Sequence, residues 1–279
     1  MRLPAERSLR RALFPVVVCA LTIVAPPRGR LAAVDTAPIQ GAELEDFLRR
    51  ATVSDMRTIP IGVTKPRKVT LTLDGVKRDA AWRVINESKT GVTKVGRERE
   101  LDFEDTWRTD CAAYELDKLL GLGMVPATVE RVIAGERGSL TIWVDNAVTE
   151  QERRNRNMLP PDPEAWSRQV FKMRMFDNLI HNIDRNLGNS LITDDWQLRL
   201  IDHSRSFRKA TTLREPDQLA RFSRSLLEAM ARLDKGELRK RLGDYITVFQ
   251  IDALLERRDK LLALAKKVAA ERGEVVYYP

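Results

Sequence analysis

Between residues 69 and 73 apolar and polar side chains alternate, Val69-Thr70-Leu71-Thr72-Leu73, the two-residue period of a half-buried strand. Asp74-Gly75 follows at once and predicts a tight hairpin, with residues 80–85 (Ala-Ala-Trp-Arg-Val-Ile) as the return strand. The period then lengthens to that of a helix. Over 106–120, Ala113, Leu116, Leu119 and Leu120 share one face, and Gly121, Gly123 and Pro126 end the run. Further strands are expected at 129–133 and 140–144, joined around Gly135 and Gly138. Residues 55–145 therefore read as strands with one helix. Residues 146–163 carry Arg153, Arg154, Arg156 and three prolines without an apolar period, which predicts a solvated polar connector. From Glu164 onward the pattern is helical, over 166–180, 214–234 and 247–271, with leucines at core spacing. No internal repeat or low-complexity tract interrupts it.

Composition changes this picture at the N-terminus. The 279 residues are 43% hydrophobic and 32% charged, the balance of a globular chain. The net charge of +8 suggests nucleic acid until it is located. Six Arg against one Glu put five of the eight positive charges in residues 1–33, and no aromatic-basic interleaving remains in the body, so a nucleic-acid partner is not expected. Arg2, Arg7, Arg10 and Arg11 precede an uncharged run over 12–25 that is too short to span a bilayer and holds Pro15. Residues 1–33 therefore read as a signal peptide, with Val34 as the mature start. The protein is expected to be exported, periplasmic or secreted, with no membrane span in the mature form; an uncleaved anchor is the alternative. Cys19 falls in that segment. Cys111 stands alone in the body, so neither a disulfide nor a cysteine metal cluster is expected, and its place in an apolar helix suits a buried thiol.

Residues 176–207 carry the chemistry. A helix runs into a polar loop with Asp184 and Asn189. Two short apolar strands follow, 190–193 and 196–201, about the turn Asp194-Asp195. A two-residue turn pairs 193 with 196 and 189 with 200, which brings Asn189 and Asp202 to one end of the hairpin, near Asp184. Two carboxylates and an amide oxygen suit a hard cation such as Mg²⁺, which is commonly held by one or two carboxylates plus substrate phosphates. An Asp, four residues, a metal-binding Asn and a later metal-binding Asp is the arrangement phosphoryl transfer uses in kinases. His181 and His203 do not have the spacing of a metal pair and read as structural.

The segment Ile183-Asp-Arg-Asn-Leu-Gly-Asn-Ser-Leu-Ile192, followed by Leu200-Ile-Asp-His-Ser-Arg-Ser-Phe207, resembles the catalytic core of atypical protein kinases: the phosphatidylinositol 3- and 4-kinase-like, HipA-like and secretory-pathway casein kinase-like enzymes. Residues 110–126, Asp-Cys-Ala-Ala-Tyr-Glu-Leu-Asp-Lys-Leu-Leu-Gly-Leu-Gly-Met-Val-Pro, resemble their N-lobe helix. The resemblance implies a bilobal α+β kinase-like fold: an N-lobe over 34–145, the connector 146–163 and a C-lobe over 164–279. It implies an ATP-dependent phosphotransferase using Mg²⁺ or Mn²⁺, with a protein, lipid head group or sugar as acceptor. Asp184 would be the base or orienter, Arg185 would order the loop or steady phosphates, and Asn189 and Asp202 would hold the metal. Nucleotide would meet Ala81 and Arg83 on the strand, Asp110 on the helix, and Trp143 and Val144. Arg83 and Asp110 depart from the family's Lys and Glu but keep the charge pair. An inactive kinase-fold binding module and a nucleotidyl transferase stay open as alternatives. Gly62 is the one candidate lid glycine.

Overall fold

A computed structural model describes residues 39–59, 66–95 and 98–279. The candidate signal peptide and Gly62 lie outside them. The alternation over 69–73 is realised as β2 of an antiparallel sheet. In chain order the N-terminal elements are α1 (Gly41–Arg50), β1 (Thr52–Thr58), β2 (Arg67–Leu73), β3 (Val76–Arg83), β4 (Asn86–Val95), β5 (Glu98–Thr106), α2 (Arg108–Leu120), β6 (Thr128–Ile133) and β7 (Glu136–Ile142). Five strands form one sheet in the order β1-β2-β3-β7-β6. Val69, Leu71, Ala80, Trp82, Val129 and Leu140 are buried together with Phe47 and Leu48 of α1. Asp74 and Gly75 both have positive φ, 49° and 79°, and Leu73 pairs with Val76, as a two-residue turn of the I′ kind requires. The return strand consequently starts at Val76 rather than at 80.

Opposite pairing sets what the other sheet face carries. Ala81 stands between Lys68 and Thr141, and Arg83 is opposite Ser139. Gly138 makes this edge possible, because a Cβ there would lie 2.1 Å from the Arg83 carbonyl oxygen. At the C-terminus of α2, Gly121 takes the left-handed φ of 60°. The Asp117 carboxylate then accepts the N–H groups of Gly123, Met124 and Val125 at 2.9–3.0 Å and fixes the turn into β6. β4 and β5 pair with each other as a separate two-stranded arm.

Residues 146–163 are mostly exposed over 151–163, as a polar connector would be, but they carry secondary structure of their own. They form β8 (Ala147–Thr149), which pairs with a strand of the catalytic hairpin, and α3 (Glu150–Asn155). Thr149 and Glu152 make a reciprocal capping box. Glu150 is buried and takes Arg153 and Arg154 together, so the basic run is neutralised from within.

The C-terminal part comprises α4 (Pro163–Leu179), β9 (Ser190–Thr193), β10 (Leu198–Leu200), β11 (Phe222–Ser223), α5 (Arg224–Ala231), α6 (Lys235–Leu242), α7 (Val248–Arg272) and β12 (Tyr277–Tyr278). The single helix expected over 214–234 is instead a 3₁₀ turn at Pro216–Gln218, the strand β11 and the short α5. Proline at 216 breaks the run, and the Ser223 hydroxyl accepts the Leu226 N–H to start α5. β12 pairs parallel with β11, and the Tyr278 hydroxyl donates to the Arg168 carbonyl at 3.0 Å. The main core joins Leu116 and Leu120 of α2 to Phe176, Leu179, Ile192, Leu200, Phe207 and Leu254. Among the described residues no helix is long and apolar enough to cross a membrane.

The junction after α4 carries a buried imidazole. His181, at φ 48°, is 8% exposed, and its Nδ1 lies 3.1 Å from the Thr212 carbonyl. Burial, with the cations Arg257 and Arg214, pulls its pKa down to about 4. The folded pKa is thus below the unfolded value near 6.5, so between those limits only the unfolded chain takes the proton and stability falls as pH falls. Chemical denaturation of the wild type and of His181→Gln at pH 7 and pH 4 should show the wild type losing about 2 kcal/mol relative to the variant, after discounting for solvent screening. A pH-independent difference would show that the imidazole does not titrate in this way.

Candidate active site

The loop after α4 is built around one carboxylate that the sequence reading did not single out. Asp177, in the last turn of α4, accepts a bidentate pair of bonds from one edge of the Arg185 guanidinium at 3.0 Å, from Nε and from Nη2. It also accepts the Asn182 side-chain amide at 3.1 Å. Arg185 donates further to the carbonyls of Asn189 (2.6 Å) and Ile201 (2.9 Å) and to His203 Nε2 (3.0 Å). Arg185 therefore orders the loop. His203 is 1% exposed, and burial beside Arg185 and Arg83 holds its pKa well below the usual value, so the ring is a neutral acceptor.

Asp184 sits inside this frame with its backbone engaged and its carboxylate nearly free. Its N–H donates to Asn182 Oδ1 at 3.0 Å, and its carbonyl accepts Asn186 N–H at 2.9 Å and Asn189 Nδ2 at 3.0 Å. The side-chain contact is one long approach of Asn186 Nδ2, 3.5 Å. A positioned carboxylate without a competing partner is what a base or orienter for an incoming hydroxyl needs.

The hairpin register differs from the expected one by a residue. Ile192 pairs with Leu198, Leu191 with Arg199 and Ser190 with Leu200, so the turn has three residues, with Trp196 at φ 60°. The cause is distant in sequence. Gln169 on α4 donates to the Trp196 carbonyl (2.9 Å) and accepts the Leu198 N–H (2.8 Å), while Trp196 packs edge-on to Trp166, 5.9 Å between centroids. Asn189 is consequently opposite Ile201, bonded at 3.1 Å, and Asp202 leaves the strand with φ 56°. Asn189 and Asp202 still end the hairpin together. Asn189 Nδ2 is committed to Asp184, and its Oδ1 has no donor among the described residues. Asp202 Oδ1 accepts Arg83 (2.5 Å) and Ser204 (3.0 Å), and Oδ2 accepts nothing among the described residues. One amide and one carboxylate oxygen fit a hard cation whose remaining ligands are phosphate oxygens and water. Among the described residues no three His, Cys, Asp or Glu side chains are grouped to hold a metal by themselves.

Arg83 joins the sheet to this hairpin. Its Nη1 lies 2.5 Å from Asp202 and 3.4 Å from Asp110. Asp110 also accepts the His203 N–H at 2.7 Å and the Ser139 hydroxyl at 3.1 Å. Burial pushes the Asp110 carboxyl up, against the pull of Arg83. Burial opposes the charge on Arg83, but Asp202, Asp110 and Asp105 outweigh it and raise its pKa. Ala81 lies on the same face of β3, between Lys68 and Thr141. Trp143 and Val144 lie just beyond β7, and the Trp143 N–H is bonded to the Asp79 carbonyl at 2.9 Å. Lys68, also unread in the sequence, covers one face of the Trp143 ring at 4.1 Å and pairs with Asp79.

The β4–β5 arm closes over the segment after Asp202. Glu100 takes both Arg205 and Arg208, and Arg208 also donates to the carbonyls of Asp102 and Glu104. The Thr106 N–H bonds the Ser204 carbonyl at 2.9 Å. From the other side Arg257, fully buried, donates to the carbonyls of Leu179, Arg208 and Ala210. A cavity of about 230 Å³ opens against Asp177, Asn182, Ile183 and Arg185. Another of about 360 Å³, between the arm base and α7, touches none of the candidate residues.

No family model and no curated protein matches the chain. Solved structures do. The structure of hydra Fam20 with sugar superposes with a TM-score of 0.65 at 15% identity, over 85% of this chain and 91% of that one. The Golgi casein kinase with Mn and ADP bound gives 0.59 at 14% identity, over 83% and 77%. The Helicobacter pylori proinflammatory kinase CtkA gives 0.53 at 12% identity, over 80% and 97%. With its antiparallel N-terminal sheet, helical C-terminal part and the Asp184–Asp202 hairpin between them, the chain has the fold of the atypical protein kinases.

Proposed function

We propose that this protein is an ATP-dependent phosphotransferase that uses Mg²⁺ or Mn²⁺, with an alcohol of a protein, lipid head group or sugar as acceptor. The observation that carries the reading is the division of labour around Asp177. Arg185 spends its donors on structure, which leaves the Asp184 carboxylate, Asn189 Oδ1 and Asp202 Oδ2 uncommitted at one hairpin end. A neighbour of the same fold binds Mn and ADP, and another was solved with sugar. A divalent cation would neutralise the charge that develops on the transferred phosphoryl group. Asp184 orients the acceptor hydroxyl and takes its proton. Arg83 and Asp110 set the position of the phosphates, and Ala81, Trp143 and Val144 line the nucleotide side.

Asp202→Ala tests the reading. Calorimetric titration of ATP with and without Mg²⁺ should show metal-dependent affinity in the wild type and none in the variant, with thermal unfolding of the variant still cooperative. Equal metal-dependent affinity in both proteins would remove Asp202 from the metal site. One observation favours a second reading, an inactive kinase-fold binding module: Arg83 replaces the expected Lys and lies closer to Asp202 than to Asp110. Metal-dependent nucleotide binding without ATP consumption would select it. A nucleotidyl transferase would reveal itself by the mass added to its target.

A further inference from the structure

We propose that Arg83 is a latch on the metal-binding carboxylate: in the nucleotide-free protein it occupies Asp202, so that a divalent cation binds only together with nucleotide phosphates, which draw the guanidinium away. The proposal rests on the assignment of Asp202 as a metal ligand made above. Three features support it. First, Arg83 favours the wrong partner for a mere N-lobe ion pair. Its Nη1 lies 2.5 Å from Asp202, across 119 residues of sequence, and 3.4 Å from Asp110. A cation arriving at Asp202 must displace a positive charge already bonded there, and electrostatics oppose holding both. Second, the seat is incomplete. Arg83 Nε is buried with no hydrogen-bond partner among the described residues. A buried donor without a partner marks an arrangement that another state satisfies better. Third, the guanidinium has capacity to spare. Both carboxylates are met by Nη1, and Nη2 makes no hydrogen bond among the described residues, so one nitrogen is left to take an anion while Nη1 holds a carboxylate. A lysine ammonium is a point charge and could not hold a phosphate with one nitrogen while another keeps Asp110.

The consequence is a coupling between metal and nucleotide that exceeds simple bridging, and that resides in one side chain. Free Mn²⁺ followed by electron paramagnetic resonance in titrations of the full chain, with no nucleotide and with saturating ADP, measures it directly. The wild type should bind Mn²⁺ alone weakly and at least ten-fold more tightly with ADP. Arg83→Met should bind Mn²⁺ alone at least ten-fold more tightly than the wild type, and ADP should add little. The gain should vanish in Arg83→Met combined with Asp202→Ala, which ties it to that carboxylate. Arg83→Lys, which keeps the charge and serves if Arg83→Met does not fold, should fall between the two. Mn²⁺-alone affinity of Arg83→Met and Arg83→Lys within two-fold of the wild type, with ADP-dependent binding intact, would overturn the latch and leave the metal site standing. Absence of Mn²⁺ binding in every protein, with or without ADP, would overturn both.

Discussion

Asp184→Asn is expected to lower the turnover of phosphoryl transfer by about 10²–10⁴-fold, the range for losing a positioned general base, while affinity for ATP with Mn²⁺ stays within two-fold. The expectation follows from how the residue is held. Its N–H and carbonyl are bonded to Asn182, Asn186 and Asn189, so the loop keeps its shape without the carboxylate. Among the described residues the side chain makes only the long contact with Asn186. Removing the charge should therefore appear in turnover and not in binding or in the melting temperature. Steady-state turnover beside calorimetric ATP affinity separates the two. A variant as fast as the wild type would move the base elsewhere, and one that fails to bind nucleotide would mean that Asp184 serves the metal.

Asp177→Ala should produce the largest loss of stability, about 3–5 kcal/mol, because it strands a mostly buried guanidinium. The side chains of Arg185 and Asp177 are only 11% and 12% exposed, and the pair is bidentate through Nε and Nη2. Without Asp177, Arg185 keeps three neutral acceptors, the carbonyls of Asn189 and Ile201 and the ring of His203, and no counter-charge. Urea unfolding of the wild type, Asp177→Ala and Asp177→Asn gives the measurement, with the Asn variant intermediate. A loss below about 1 kcal/mol would place the pair with ordinary surface ion pairs and would remove the frame on which the placement of Asp184 and Asn189 depends.

What the sequence makes legible here is whatever is decided locally. Asp74-Gly75 with period-two flanks names its own turn, because the φ values needed at both positions belong to few residues. The spacing from Asp184 to Asn189 is likewise a local fact. The loop's support is not. Asp177 sits in a helix whose pattern says only core, and its partners Arg185 and Asn182 become partners once the chain has turned. The hairpin register escaped for the same reason: Thr193 to Gln197 admits a two- or a three-residue turn, and the choice is made by Gln169 from another helix. Residues 146–163 look solvated because Arg153, Arg154 and Arg156 dominate them. The capping pair Thr149 and Glu152 was there to be read, but the burial of Glu150 under two arginines was not. The arm of β4 and β5 carries few buried side chains, so its alternation gives no inward face, and its purpose appears only where Glu100 meets Arg205 and Arg208. Strand alternation puts Ala81 and Arg83 on one face, and the resemblance to atypical kinases implies the pairing of Arg83 with Asp110. The stronger bond from Arg83 to Asp202 needed the hairpin to be in place.

That clamp between the arm and the segment after Asp202 bears on the order of folding. Glu100 and Arg205 stand 105 positions apart, Arg83 and Asp202 119, and Arg108 reaches the Asp244 carbonyl 136 residues away. Contacts of such span close late, since the loop entropy is spent before they return any enthalpy. The sheet can form from its own hairpins, and the helices of the C-terminal part from their caps, before any of these bonds exists. A collapsed chain with nearly all its secondary structure would still lack the bond from Arg83 to Asp202, and so would hold the sheet and the catalytic hairpin out of register with each other. The junction between the sheet and the hairpin is thus the last part of the native state to be completed, and everything that depends on Arg83 meeting Asp202 waits for it.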